Sequence, residues 1–184
     1  LAALPHGATV ATGSVRRRAQ LTATRPDLQF VELRGNIHTR LSKLPEGGAL
    51  VMAVAALQIL ELTDRIAEAL PVDRFVPSPG QGCVAVECRT GDDEVAGLLA
   101  AIDHSATRAA VQLERAFLAE LGTGCSLPVA AHAVGDHLSG FLSEPGADRP
   151  TGRHVTGSVV VRGSHMERLE QAAGLARTLR AELG

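Results

Sequence analysis

The sequence predicts an α/β fold, in which a parallel β-sheet unit is followed by a small α+β unit with a three-stranded sheet and helices. Short apolar runs alternate with helical patterns over residues 1–70, which is typical of repeated strand–helix units. From Pro128 the pattern changes to three consecutive strands and a final helix, and a proline-rich stretch at 71–79 indicates a boundary. Hydrophobic residues make up 45% and charged residues 21%, a balance that indicates a globular chain.

The first part is predicted to be the parallel sheet with its crossover helices. Gly13 and Ser14 follow a short strand and supply a turn and a helix N-cap, and Gly35 and Asn36 open a second helix. Ligands of such sheets bind at the carboxyl ends of the strands, so functional side chains are expected there. The predicted elements are strands at 8–12, 28–33 and 49–54 and helices at 15–24, 36–44, 55–60 and 64–70.

The later part is predicted to contain one more strand and helix before the α+β unit. Thr90 to Asp93 resembles a capping box, and Ser164 with Glu167 fits another at the start of the last helix. Apolar residues at helical spacing give the helix at 105–121 a buried face. The predicted elements are strands at 82–88, 128–134, 137–143 and 154–162, helices at 94–102 and 105–121, and a final helix that starts at the Ser164 capping box.

Charge and composition narrow the class of function. The net charge is −2, but residues 1–44 carry seven basic against two acidic residues, which favours a site for small anions. Aromatic residues are only 2%, without Trp or Tyr, so we expect no base-stacking surface and no nucleic-acid partner. We expect no membrane span and no signal peptide. Three cysteines without a disulfide pattern favour a reducing, cytoplasmic location, and their spacing predicts no metal site.

Four arginines are predicted to form the anion site. Arg16 and Arg17 lie in the first turn of a helix that directly follows a strand. Arg34 ends the next strand, and Arg40 lies one turn into the next helix. Guanidinium groups at one edge of a sheet repel each other unless an anion joins them, so the arrangement favours a carboxylate or phosphate ligand.

Arg18 and Arg25, by contrast, are expected to be solvated surface residues.

Cys125 is the candidate reactive residue. It lies between Gly124 and Ser126, just after an amphipathic helix and before an apolar strand, in a position that suits covalent chemistry. From the residues alone, the alternative is a small buried hydrophobic side chain.

The surroundings of Cys125 resemble the cofactor-attachment loop of porphobilinogen deaminases (hydroxymethylbilane synthases), in which a Glu-Arg-x-x-Leu helix runs into Gly-Gly-Cys-x-x-Pro. Other stretches resemble the same family in the same order along the chain. They are residues 11–21, residues 34–41 and the Pro-Gly-Gln-Gly turn at 79–82 with the following residues 86–89.

This resemblance implies a fold, a reaction and a set of site residues. It implies a periplasmic-binding-protein-like parallel-sheet lobe over 1–76, a segment at 77–103 that returns to a preceding lobe, and a C-terminal cofactor-attachment domain over 104–184. The family polymerises porphobilinogen into hydroxymethylbilane, with release of ammonia, in tetrapyrrole and heme biosynthesis. It does so on a covalent dipyrromethane cofactor, which the resemblance attaches to Cys125 through a thioether. The implied cofactor- and substrate-binding residues are Thr12, Ser14, Arg16, Arg17, Arg34, Arg40 and Gln81.

The family's catalytic Asp is expected upstream of Leu1, because its His-Ser-x-Lys-Asp motif occurs nowhere in the 184 residues. We therefore expect an N-terminally truncated chain that is inactive alone and a monomer when full length. Ala56 and Ile59 depart from the family pattern, as does Thr123, which replaces a Gly. Two other classes stay open: a non-catalytic anion-binding module that keeps the arginines, and an interaction or regulatory protein.

Overall fold

The structure is a computed structural model that describes residues 1–122, 128–146 and 152–184. It contains a parallel sheet unit and an antiparallel sheet unit, each with its own helices. Within these ranges no helix combines the length and the apolar character that crossing a membrane requires. The elements are β1 (Thr9–Ala11), α1 (Val15–Thr24), β2 (Gln29–Val31), α2 (Ile37–Leu41), β3 (Ala49–Leu50), α3 (Val54–Ile59), a 3-10 turn (Thr63–Arg65), α4 (Asp93–Ala100), α5 (Ser105–Leu121), β4 (Val129–Val134), β5 (His137–Ser143), β6 (His154–Val160) and α6 (His165–Leu183).

The first sheet is parallel, with β1 between β2 and β3. Val10 of β1 is paired with Phe30 on one side and with Ala49 on the other, and it is buried together with Leu21 of α1. Central position and burial on both faces explain why Val10 and Ala11 of β1 are apolar. The predicted α/β class and the parallel three-stranded sheet are confirmed.

Helix α1 begins and ends at the predicted residues. The Ser14 side chain accepts a hydrogen bond from the Arg17 N–H at 3.3 Å, which satisfies one of the amides that a helix start leaves without a partner. The helix ends before Pro26, because a proline disfavours helical conformation in the residue that precedes it. The cap therefore fixes where Arg16 and Arg17 lie relative to the end of β1.

The second sheet is antiparallel in the order β4-β5-β6, and α5 and α6 cover one of its faces. Gly140 of β5 permits this packing, since a Cβ there would lie 2.8 Å from the Phe117 ring and 3.1 Å from Leu179. The predicted α+β unit with three strands is confirmed, and α5 and β5 have the predicted bounds. Its buried core consists of Leu113, Phe117, Leu121, Val129, Ala131, Ala133, Leu138, Leu142, Val161, Ala172, Leu175, Ala176 and Leu179.

Residues 75–81, which we call the strap, join the two units. Val76 packs with Ala19 of α1 and with Ala130 and Phe141 of the second sheet. The strap also runs beside β4, where the Ala131 N–H donates to the Pro77 carbonyl at 3.2 Å. The strap thus contacts both units through backbone and side chain.

The predicted strand at 82–88 is wrong: these residues form no strand and are exposed. The Val84 residue is 87% exposed, and Cys83 and Cys88 are both exposed free thiols. A strand needs a neighbour for its N–H and C=O groups, and none of the described residues pairs with this segment. The apolar alternation in the sequence is therefore not matched by a partner strand.

Two helix predictions need correction. The predicted helix at 64–70 is reduced to the 3-10 turn Thr63–Arg65, because most of these residues are exposed and a short unpacked segment does not sustain a helix. Helix α4 forms as predicted, but its N-cap is Asp92, whose side chain accepts from the Val95 N–H at 3.1 Å. The expected capping box of Thr90 and Asp93 is absent from this helix start.

Candidate anion-binding site

A pocket of about 390 Å³ lies at the carboxyl ends of β1 and β2. It is the place where the parallel topology predicts a ligand, since strand ends and the start of α1 meet there. Five of the residues that the sequence singled out border it. Its lining consists of Thr12, Gly13, Ser14, Arg17, Glu32, Leu33, Arg34, Arg40 and Val51.

Arg17 is the most enclosed cation of the pocket. One of its Nη1 hydrogens is donated to the Val51 carbonyl at 2.9 Å, and its other donors have no partner in the part of the chain that the structure describes. Burial, and then the charge of Arg40, lower the pKa of Arg17. Within the described residues Arg17 has no carboxylate in salt-bridge contact, so an added anion would relieve this unbalanced charge.

Arg34 and Arg40 form the outer rim of the pocket. The Arg34 side chain is 87% exposed, and its Nε donates to Glu32 Oε1 at 3.2 Å. Arg40 donates from Nε to the Gly35 carbonyl at 2.7 Å, next to the Asn36 cap of α2. The exposed Arg34 can turn toward an incoming anion at little cost, whereas Arg40 is half-buried.

Arg16 faces away from this lining, toward the strap. It is only 7% exposed, and it donates from Nη1 to the Val76 carbonyl at 2.8 Å and from Nη2 to Gln81 Oε1 at 3.1 Å. Burial, and then the neighbouring charge of Arg17, lower its pKa to about 10. The structure thus brings Arg17, Arg34 and Arg40 to one pocket and places Arg16 together with Gln81 behind it.

Glu32 is a pocket residue that the sequence reading missed. Its two carboxylate oxygens accept from Arg34 and, at 3.0 Å, from Nη2 of Arg18. Arg18 also donates to the Thr12 carbonyl at 3.2 and 3.3 Å. Glu32 precedes Arg34 by two residues at the end of the predicted strand. This spacing could have predicted that the two side chains lie on the same side of the sheet.

The expectation that Arg18 and Arg25 are solvated surface residues is wrong. Arg18 is half-buried behind the pocket, as its bonds to Thr12 and Glu32 indicate. Arg25 forms a two-pronged ion pair with Asp27 at 2.7 and 2.8 Å, and it donates to the carbonyls of Leu1, Leu4 and Pro5. Both arginines therefore hold the first unit together.

Gln81 lies at the end of the strap. The preceding Gly80 has φ of +72°, a left-handed conformation that favours glycine. The Gly80 N–H donates to Glu114 Oε2 at 2.6 Å, so a carboxylate of α5 is connected to the Gln81 loop. Glu114 and the buried Gln20, which bonds both backbone groups of Val76, were not anticipated from the sequence.

Cys125 lies outside the described residues. Helix α5 ends at Leu121, and the following Gly122 adopts a left-handed conformation with φ of +61° that closes the helix. The chain is described again from Pro128, immediately before β4. The assignment of Cys125 therefore stays a prediction from the sequence.

Comparison with known proteins gives two family matches along the chain. The model described as "Porphobilinogen deaminase, dipyromethane cofactor binding domain" matches residues 1–97, and "Porphobilinogen deaminase, C-terminal domain" matches residues 108–153. The arginine pocket lies wholly within the first match.

Several curated relatives are similar over most of the chain. The porphobilinogen deaminase of Roseiflexus castenholzii (strain DSM 13941 / HLO8) is 48% identical over 187 residues, which cover 100% of this chain and 59% of that protein. That of Roseiflexus sp. (strain RS-1) is 52% identical over 75% of this chain and 47% of its own length. That of Xanthomonas oryzae pv. oryzae (strain PXO99A) is 52% identical over 72% and 44%. The chain spans about half the length of these relatives, and it belongs to the porphobilinogen deaminase family.

Proposed function

We propose that the chain is part of an enzyme that joins four porphobilinogen molecules into hydroxymethylbilane and releases ammonia, a step of tetrapyrrole biosynthesis. The observation that carries this proposal is the arginine pocket, which lies inside the segment matched by the cofactor-binding family model. Each porphobilinogen carries an acetate and a propionate side chain, so a growing chain is a polyanion. A pocket with three arginines and one carboxylate is suited to such a ligand.

The residues present fit a carboxylate-bearing dipyrromethane cofactor. Arg17 would hold one carboxylate at the enclosed end, and Arg34 and Arg40 would hold others at the rim. Thr12 and Ser14 have hydroxyl groups at the same edge, although Thr12 Oγ1 already accepts from the Ser14 N–H at 3.3 Å. When bound through Cys125, the cofactor supplies the terminal pyrrole to which further units are added.

In this proposal the described side chains supply positive charge and hold the ligand in position. The arginines neutralise carboxylates and hold the end of the chain in place, which accounts for part of the barrier reduction expected from orientation and electrostatics. Glu32 is the carboxylate in the lining, and it is committed to Arg18 and Arg34. We therefore propose that the acid group comes from outside these residues and that the chain is inactive alone.

We further propose that the chain divides as the family does. Residues 1–76 would be a binding-protein-like lobe, 77–103 a return segment and 104–184 the cofactor-attachment domain, in a monomeric cytoplasmic enzyme. The exposed apolar side chains of Val84, Val86, Leu98 and Ile102 support a missing neighbour for the return segment.

The test uses this chain joined to the part of the Roseiflexus castenholzii relative that it does not match, which we call the completed enzyme. After incubation with porphobilinogen, denaturing mass spectrometry should detect an adduct of two pyrrole units on the peptide that contains Cys125, together with released ammonia. Cys125→Ser should lose the adduct, whereas the matched controls Cys83→Ser and Cys88→Ser should keep it.

Three outcomes would contradict the proposal. An adduct on Cys83 or Cys88 would refute the attachment site, and binding without ammonia release would favour a non-catalytic anion-binding module. Steady turnover by the 184 residues alone would show that a carboxylate within them, with Glu32 the first candidate, performs the acid's role.

A further inference from the structure

Glu114 of α5 is a buried carboxylate with partners in two other parts of the fold, β4 and the strap. The residue is 4% exposed and lies on the covered face of α5, where Leu113 and Phe117 are apolar core residues. Its Oε1 accepts from the Ala133 N–H at 2.9 Å and lies 3.2 Å from Nδ1 of His132. Its Oε2 accepts from the Gly80 N–H at 2.6 Å. Burial of a carboxyl group is unfavourable without such bonds, so these partners offset the cost of burying the Glu114 side chain.

The contact to Gly80 fixes the orientation of the Gln81 loop. Gly80 is in the left-handed region, and the turn around it is closed by the Gln81 N–H donating to the Ser78 carbonyl at 2.9 Å. Glu114 accepts a hydrogen bond from the Gly80 N–H, and Gly80 directly precedes Gln81 in the chain. Movement of Gly80 would therefore carry the Gln81 side chain with it.

Gln81 in turn provides one of the two described acceptors of Arg16. Both acceptors belong to the strap: the Val76 carbonyl at its start and the Gln81 side chain at its end. The Val76 end is held independently by Gln20, whose side chain bonds the Val76 carbonyl at 3.0 Å and the Val76 N–H at 2.7 Å. At the Gln81 end, Glu114 of the second unit holds the strap through the Gly80 N–H.

We propose that Glu114 is a positioning residue for the anion site, acting through Gly80 and Gln81 on Arg16. Glu114 of α5 would thereby fix the position of the Arg16 guanidinium, which lies behind the arginine pocket, beside Arg17. The expected effect on KM rests on the proposed function. The expected effect on the Arg16 guanidinium rests on the hydrogen bonds from Glu114 to Gly80 and from Gln81 to Arg16.

The test compares Glu114→Gln, Gln81→Ala and the double variant in the completed enzyme. A glutamine at 114 keeps the size of the side chain, but its amide group cannot accept from both the Gly80 and Ala133 N–H groups. The matched control is Glu167→Gln, since Glu167 also accepts a backbone N–H, from Ser164 at 2.7 Å, far along the chain at the start of α6.

We expect Glu114→Gln and Gln81→Ala each to raise KM for porphobilinogen about tenfold, the effect of losing one hydrogen bond to a charged group. The double variant should be no worse than either single one, because both act through the same contact. Glu167→Gln should change stability without changing KM. If Glu114→Gln matches this control, or if its effect multiplies with that of Gln81→Ala, the inference is wrong. Should Glu114→Gln not fold, Glu114→Asp takes its place, since it keeps the charge but draws the carboxylate back.

A second measurement separates this inference from the proposed function. The NMR signals of the Arg16 guanidinium, assigned with Arg16→Lys, should shift or broaden in Glu114→Gln and stay unchanged in Glu167→Gln. An enzyme without turnover whose Arg16 signals respond refutes the proposed function and supports the inference. If the enzyme turns over but the Arg16 signals do not change in Glu114→Gln, the proposed function is supported and the inference is refuted.

Discussion

Replacing Arg17 by Leu separates a binding role from a structural one. Among the described residues the Arg17 guanidinium donates one hydrogen bond, to the Val51 carbonyl, and its charge is disfavoured by burial and by Arg40. Loss of a neutral-acceptor bond costs about 0.5–1.5 kcal/mol, and removal of a half-buried cation beside other cations offsets part of this. We therefore expect the free energy of unfolding to change by less than about 1 kcal/mol.

Binding should respond far more strongly than stability. Each charge-assisted contact between a guanidinium and a carboxylate is worth about 1.5–3 kcal/mol, which corresponds to a loss of roughly ten- to hundredfold in affinity. Calorimetric titration of the completed enzyme with porphobilinogen measures this loss, and urea denaturation of the same protein measures stability. Arg17→Lys should recover only part of the affinity, because an ammonium keeps the charge without the planar fork.

Arg65→Leu is the matched control, since Arg65 is an exposed arginine of the same unit outside the pocket lining. It should leave both affinity and stability unchanged. Equal losses of affinity in Arg17→Leu and Arg65→Leu would mean that general surface charge attracts the ligand, and the specific pocket would be refuted. A large fall in stability for Arg17→Leu alone would show that Arg17 is a structural residue.

Two further predictions concern the fold. The hydrogen bonds from Arg25 hold the pKa of Asp27 below its ordinary value of 3.8, so this carboxylate stabilises the protein above pH 4 and loses that effect as the pH falls further. Urea denaturation should therefore show Asp27→Asn to be less stable than wild type at pH 6, with a smaller difference at pH 3; a constant difference would contradict the assignment. Gly140→Ala should destabilise by about 1–3 kcal/mol, because its Cβ would overlap the Phe117 ring at 2.8 Å, whereas Gly174→Ala in α6, where the nearest atom is 3.7 Å away, should stabilise by about 0.5–1 kcal/mol. Equal melting temperatures for these two variants would refute this account of the close packing.

The elements predicted well from the sequence are those whose signals are local. Helix α5 has an apolar stripe and a closing glycine, and α6 has the capping box of Ser164 and Glu167, which the structure shows in full. The three parallel strands were predicted because strand–helix alternation has few physical solutions. The location of the pocket followed from that topology, since the ends of β1 and β2 meet at one edge.

What the sequence could not predict depends on partners distant along the chain. The alternation at 82–88 predicted a strand, but a strand forms only beside another one. Arg16 and Arg17 are adjacent and chemically identical, yet Arg16 turns to Val76, sixty residues later, while Arg17 turns to the pocket. The structural role of Arg25 depends likewise on carbonyls that the local pattern does not reveal.

The strap acts as a short tether between the two units. Val76 is held by α1 and Gly80 by α5, and the four peptide units between them can span at most about 14 Å. The two helices consequently cannot move far apart without breaking one of these attachments. We therefore expect room for a lengthening ligand to come from the side of residues 83–103, most of which are exposed. Spin labels at Thr24 of α1 and Arg115 of α5, both exposed, would give one narrow distance distribution if the tether holds and a broad one if the units swing freely.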